Sequence, residues 1–135
     1  MKDFSFGERV LCRGFLKKFP KNYYLPRIDL EDYSEKQMNI ISKYSDKVIF
    51  VEPNDSIRSL EFETIERTFS GIIVGYQNVC MEIDICCESY ENEFNDLKYY
   101  IYKHNVVDKV VKCAIVYYGV NRKRLVPLKF VENYV

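Results

Sequence analysis

Five cysteines, a single histidine and a run of carboxylates are the residues of this chain that could support metal or covalent chemistry. A zinc site needs four nitrogen or sulfur ligands converging on a point, commonly from Cys-x-x-Cys steps. Here Cys86 and Cys87 are adjacent, so on a strand they leave opposite faces; Cys80 lies about 20 Å from Cys86 along an extended chain. With His104 as the only imidazole, no metal site is expected, and Cys12, Cys87 and Cys113 read as small core hydrophobes. Nucleophilic catalysis needs a base oriented beside the nucleophile. No motif supplies one, although a cysteine brought beside His104 by the fold stays open. Glu82 and Asp84 share a strand face at i,i+2 spacing, which suits acid–base work but also an ordinary solvated face. Gly71 and Gly75 are not followed by the Lys-Ser/Thr of a phosphate loop. Their spacing instead suits a strand that bends around a barrel corner. The expectation is a non-enzymatic protein with no cofactor.

Binding chemistry is better represented. Lys and Arg total 20, as do Asp and Glu, yet the charges are segregated. Residues 1–27 carry a net of +5, 28–51 a net of −2, 52–97 a net of −9 and 98–135 a net of +6. The basic ends could pair with the acidic middle across the surface, since exposed ion pairs are common. The acidic block could instead meet a basic partner, or the basic ends could converge on a phosphate backbone. For the second reading, Glu82, Asp84, Glu88, Glu91, Glu93 and Asp96 supply charge, and Tyr90 and Phe94 supply apolar anchors. For the third, Lys17, Lys18 and Lys21 with Tyr23 and Tyr24, and the turn Arg122, Lys123 and Arg124, combine phosphate-binding charge with base-stacking rings.

Those residues must be carried by a mainly β chain. Residues 4–14, 47–52, 67–76, 79–87, 97–103 and 112–118 read as strands, and 57–65 as an edge strand. In 79–87 the alternation is clean: Val79, Met81, Ile83, Ile85 and Cys87 face one way, with Glu82 and Asp84 on the other. Residues 119–123 read as a hairpin turn, 88–96 as an acidic loop, and 17–26 as an extended loop with two prolines. The one helix expected lies at 34–44, where Ser34 and Gln37 fit a capping box and Met38, Ile41 and Tyr44 recur at helical spacing. The fold class is therefore mainly β, β-rich α+β: a small barrel or strongly bent antiparallel sheet with one short helix.

The opening Gly-Glu-Arg-Val at 7–10, the Phe-Ser-Gly-Ile-Ile-Val-Gly strand at 69–75 and the closing Leu-Val-Pro-Leu-Lys-Phe-Val-Glu at 125–132 resemble a small SH3-like barrel of the KOW or Tudor kind. The resemblance implies one domain over 1–135. Its barrel strands fall mainly in 4–14 and 66–135, with 15–65 as an insertion carrying the basic aromatic loop and the helix. Proline-motif recognition is not implied, because the chain lacks both tryptophan and an Ala-Leu-Tyr-Asp-Tyr stretch. The chain is also similar in overall character to small accessory proteins of Gram-positive phages, including anti-CRISPR and other anti-defence inhibitors. That likeness implies an inhibitor that binds a host protein, such as a nucleic-acid-processing enzyme, through the acidic, tyrosine-rich surface. The alternative is a nucleic-acid-binding accessory protein using the basic loops 17–24 and 121–124.

No apolar run approaches the ~18 residues of a membrane span. An odd number of cysteines without a secretory leader suits a reducing cytoplasm. A cytoplasmic location without membrane contact is expected, and tyrosine-rich strand edges leave a homodimer open.

Overall fold

The structure, a computed structural model, describes residues 4–135. Strands hold 58% of these residues and helical turns 16%, so the chain is mainly β, as its alternating patterns predict. It divides into two compact units: residues 1–19, 60–82 and 106–135 form the first, and 20–59 with 83–105 the second. The first carries twelve bases against eight acids, a net of +4; the second carries eight against twelve, a net of −4.

The first unit is one curled antiparallel sheet, a half-barrel of seven strands. In chain order these are β1 (Arg9–Cys12), β2 (Phe15–Lys18), β6 (Phe62–Ile65), β7 (Phe69–Cys80), β10 (Val110–Gly119), β11 (Arg122–Pro127) and β12 (Val131–Asn133). Their spatial order is β12-β1-β7-β10-β11-β2-β6. Residues 15–18 and 62–65, which the sequence places in an insertion, are thus strands of this sheet. They pair antiparallel with each other, and β2 continues the sheet through Leu16 opposite Leu125.

Val10, Cys12, Ile73, Ala114, Val116 and Val126 are fully buried inside the curl. A smaller cluster of Leu16, Val79 and Cys113 takes Phe62, Met81, Val111 and Leu125 around it. Curvature has identifiable causes. Between Ile115 and Val116 the register of β10 on β7 shifts from Gly75 to Ile73, so Val74 is the extra residue of a bulge. At Gly71 a Cβ would collide with the Tyr117 carbonyl oxygen and the Val116 side chain, so only glycine lets the two strands approach so closely. Asn121 closes the β10–β11 hairpin at φ 56°, a left-handed conformation that asparagine tolerates.

The second unit begins with a parallel pair, β3 (Tyr23–Pro26) beside β4 (Val48–Val51). Parallel strands need a crossover, and α1 (Glu35–Lys43) provides it. The expected capping box is present: Ser34 Oγ accepts from the Gln37 amide at 3.2 Å, and Gln37 Oε1 accepts from the Ser34 amide at 2.9 Å. Residues 23–26, which the sequence reads as loop, become a strand because residues 48–51 satisfy their backbone groups.

The remaining sheet orders β5 (Asp55–Leu60), β8 (Glu82–Glu91) and β9 (Leu97–Asn105) as β5-β8-β9. Ile83, Ile85 and Cys87 are buried as the alternation predicts. The strand does not stop at Cys87: β8 runs on to Glu91, pairing Glu88 with Tyr100 and Glu91 with Leu97. The acidic loop of the sequence reading is therefore half strand, and the turn itself is short.

Candidate nucleic-acid interface

Antiparallel pairing of β2 with β11 brings two basic segments from distant parts of the chain onto one surface of the first unit. Between them lies a cleft of about 610 Å³. Lys17, Lys18, Lys123 and Arg124 line it with Phe15, Phe62 and Tyr118, and none of its lining residues is acidic. The volume falls within the range of sites that take small molecules or a few linked groups.

Arg124 is the centre of this arrangement. Its guanidinium carbon lies 4.0 Å from the ring centre of Phe15, 4.1 Å from Tyr118 and 4.7 Å from Phe69. Phe69 meets Phe15 edge-on at 5.9 Å and 87°, and meets Tyr118 at 5.8 Å and 73°. Each ring offers the negative face of its quadrupole to the cation, worth about 0.5–2 kcal/mol per contact according to its exposure. Three such contacts fix a side chain that would otherwise be free to rotate.

They satisfy its charge only in part. The ion pairs among the described residues are Arg13–Glu132, Arg27–Glu52, Arg58–Asp84 and Lys109–Glu82, and the Arg124 side chain also makes no hydrogen bond to any described residue. A half-buried guanidinium with five donors and no acceptor among the described residues is a ready receptor for an anion. The field of Arg124 is felt in the core. Burial pushes the Cys12 thiol up to about 11, and the nearby guanidinium draws it partly back.

The remaining residues of the basic set are elsewhere. Arg122 is exposed at the hairpin, outside the cleft lining. Lys21, Tyr23 and Tyr24 belong to the second unit. There Tyr23 stacks on Tyr44 at 4.5 Å and 18°, with Lys21 over Tyr23 and Lys43 over Tyr44. Tyr24 shares a 2.8 Å hydrogen bond with Ser59 and lies beneath Lys103.

The acidic set divides as well. Glu82 belongs to the first unit, 3.6 Å from Lys109. Asp84 is paired with Arg58 at 2.9 Å. Glu88 accepts from the Tyr100 hydroxyl at 2.7 Å and from the Tyr102 hydroxyl. Those bonds hold its carboxyl below the usual range and push both phenols up. Glu91, Glu93 and Asp96 are exposed at the β8–β9 turn. Asn92 builds that turn: its side-chain oxygen accepts from the amides of Phe94 and Asp96, each at 2.9 Å, while Asn95 takes φ 60°. The turn holds Phe94 out with 75% of its surface exposed; Tyr90 and Leu97, also exposed, leave opposite faces of the β8–β9 ladder.

Cys12, Cys87 and Cys113 are buried, and desolvation raises each thiol, which disfavours the nucleophilic thiolate. His104 sits opposite Asp84 on the β8–β9 ladder and edge-on to Tyr102 at 4.9 Å. No cluster of three or more His, Cys, Asp or Glu among the described residues is arranged to hold a metal ion. No helix among them is long and apolar enough to cross a membrane.

Sequence reasoning found Lys17, Lys18, Lys123 and Arg124 but missed Phe15, Phe62, Phe69 and Tyr118. Their rings were legible only as strand residues, since nothing in the local spacing shows which cation they surround. Compared with known proteins, the chain matches no protein family, no curated protein and no solved structure.

Proposed function

We propose that the first unit binds single-stranded nucleic acid, non-enzymatically, in the cleft between β2 and β11. The observation that carries this reading is Arg124, held among three rings with its donors unmatched by any described residue. A phosphate would complete its hydrogen bonding, and Lys17, Lys18 and Lys123 would follow the adjoining backbone. Phe62 and the outer face of Tyr118 offer flat apolar surface to bases, a contact every base can make. Single strands are favoured because their bases are available for stacking, whereas a duplex keeps them paired inside.

The test is fluorescence anisotropy with a labelled oligothymidylate against wild type and the Lys17→Ala/Lys18→Ala variant. Both lysines are exposed, so the substitutions leave the core untouched. Binding by wild type that weakens in the variant supports the reading. Absence of binding at low salt, or equal binding by both proteins, overturns it.

The β8–β9 turn favours a second reading, a protein-binding surface. An exposed Phe94 on a pre-ordered turn, with the exposed Glu91, Glu93 and Asp96 along the same turn, has the anchor-and-rim pattern of an interface. It suits a partner with a basic channel, including the host nucleic-acid enzyme that an anti-defence inhibitor of SH3-like build would block. A tagged-protein pull-down with nuclease treatment tests it. A protein captured by wild type and lost with Phe94→Ala supports this reading, and one that leaves on nuclease treatment counts against it.

A further inference from the structure

We propose that the acidic turn of the second unit docks into the basic cleft of a second copy of this chain, where it competes with nucleic acid. The inference rests on the reading of the cleft as an anion receptor and names an occupant for both surfaces.

The two surfaces are complementary in kind. The cleft offers Lys17, Lys18, Lys123 and Arg124 around apolar walls, with no carboxylate in its lining. The turn offers Glu91, Glu93 and Asp96 around Phe94, all exposed. One surface belongs to a unit of net +4, the other to a unit of net −4. Opposed fields of this kind steer encounter and suppress wrong partners.

The turn also shares the chemistry proposed for the cleft's ligand. It presents separated negative charges flanking a flat ring, as a short single strand presents phosphates flanking a base. A cleft of about 610 Å³ has room for the Phe94 ring, and the half-buried Arg124 would find in Glu91 or Glu93 the bidentate acceptor that no described residue supplies. Entropy does not oppose the contact strongly at the turn. Asn92 already fixes it through two side-chain bonds, and a backbone bond from the Asn92 amide to the Asp96 carbonyl closes it.

Because the two surfaces differ, the contact is heterologous. In a pair, one copy keeps a free cleft and the other a free turn, so association proceeds head to tail. Nucleic acid entering a cleft would expel the turn of the neighbouring copy. Self-association and nucleic-acid binding are therefore mutually exclusive at each cleft.

Two charge-neutralised proteins test this by sedimentation velocity at low salt. Glu91→Gln/Glu93→Gln lacks the charge of the turn but keeps the cleft, and Lys17→Ala/Lys18→Ala lacks the lysines of the cleft but keeps the turn. The expected result is that wild type associates with rising concentration and each variant alone sediments as a monomer. An equimolar mixture of the two then recovers a one-to-one dimer, because it contains one intact contact. Added oligothymidylate returns that dimer to monomers. A monomeric mixture overturns the inference and leaves the turn to a different protein. Association of either variant alone to the wild-type extent overturns it as well.

Oligonucleotide anisotropy on wild type separates the two ideas. Binding without self-association sinks the inference alone, and self-association without oligonucleotide binding sinks the nucleic-acid reading alone.

Discussion

Salt dependence gives the cleft its sharpest quantitative prediction. Four basic side chains line it. If each neutralises one phosphate of a single strand, the slope of log affinity against log salt is about −2.8, from about −0.7 per phosphate. Raising salt from about 50 to about 200 mM then weakens binding about 50-fold. Replacing Lys17 and Lys18 with alanine removes two contacts, so the slope should fall to about −1.4 and the same change in salt should cost about 7-fold. The residual affinity of that variant should be held by Lys123, Arg124 and stacking, of which salt spares only the stacking. At protein concentrations too low for self-association, replacing Glu91 and Glu93 with glutamine should leave the slope unchanged, since neither lines the cleft. Anisotropy titrations at four salt concentrations on the three proteins measure all of this. A wild-type slope shallower than about −1, or one equally steep in the double-lysine variant, would refute the assignment of those phosphates to the cleft.

Four further outcomes follow from the packing and the titrating groups. Gly71→Ala should lower unfolding stability by about 2–3 kcal/mol in urea, because its Cβ meets the Tyr117 backbone and Val116. Gly75→Ala, whose Cβ would stand 3.5 Å from the end of Ile115, should cost less than about 1 kcal/mol. Iodoacetamide on the native protein should label Cys80 and Cys86 and spare Cys12, Cys87 and Cys113, with all five labelled after unfolding; peptide mass spectrometry reads this directly. The Glu88 carboxyl should titrate below its usual range by NMR and return toward that range in Tyr102→Phe. Because folding lowers its pKa, its stabilisation of the β8–β9 hairpin is present above the unfolded carboxylate value and lost as pH falls through the folded one.

Local features of the fold were the legible ones. Ser34 and Gln37 stand at capping-box spacing, and the helix begins where they place it. Residues 83–87 alternate with period two and are buried in that register, because one face of a strand must meet a core. The hairpin at Asn121 follows likewise from nearby residues. What could not be read was pairing between distant segments. Lys17 and Arg124 become neighbours only because Leu16 pairs with Leu125, and no local spacing encodes that choice. The same holds for Tyr23 to Pro26, whose extended shape was expected but whose parallel partner was not.

The candidate site shows the same division. Its charges were visible as basic runs, whereas the ring box around Arg124 is assembled from β2, β7, β10 and β11. Phe15, Phe69 and Tyr118 each read as an ordinary strand aromatic. On the acidic side, the sequence counted six carboxylates as one surface. The fold commits Glu82, Asp84 and Glu88 to Lys109, Arg58 and two tyrosines, and it leaves three at the turn.

The central claim is that the ring-held Arg124 and its neighbouring lysines receive a single strand. The most direct test is a two-dimensional nitrogen–proton NMR titration of the full chain with an unlabelled oligothymidylate. The account predicts that the Arg124 Nε–H resonance and the amides of residues 15–18 and 122–125 shift together and saturate with one affinity. Shifts confined to residues 21–24 and 43–47, or an Arg124 Nε–H that stays in place while the oligonucleotide binds, would contradict it.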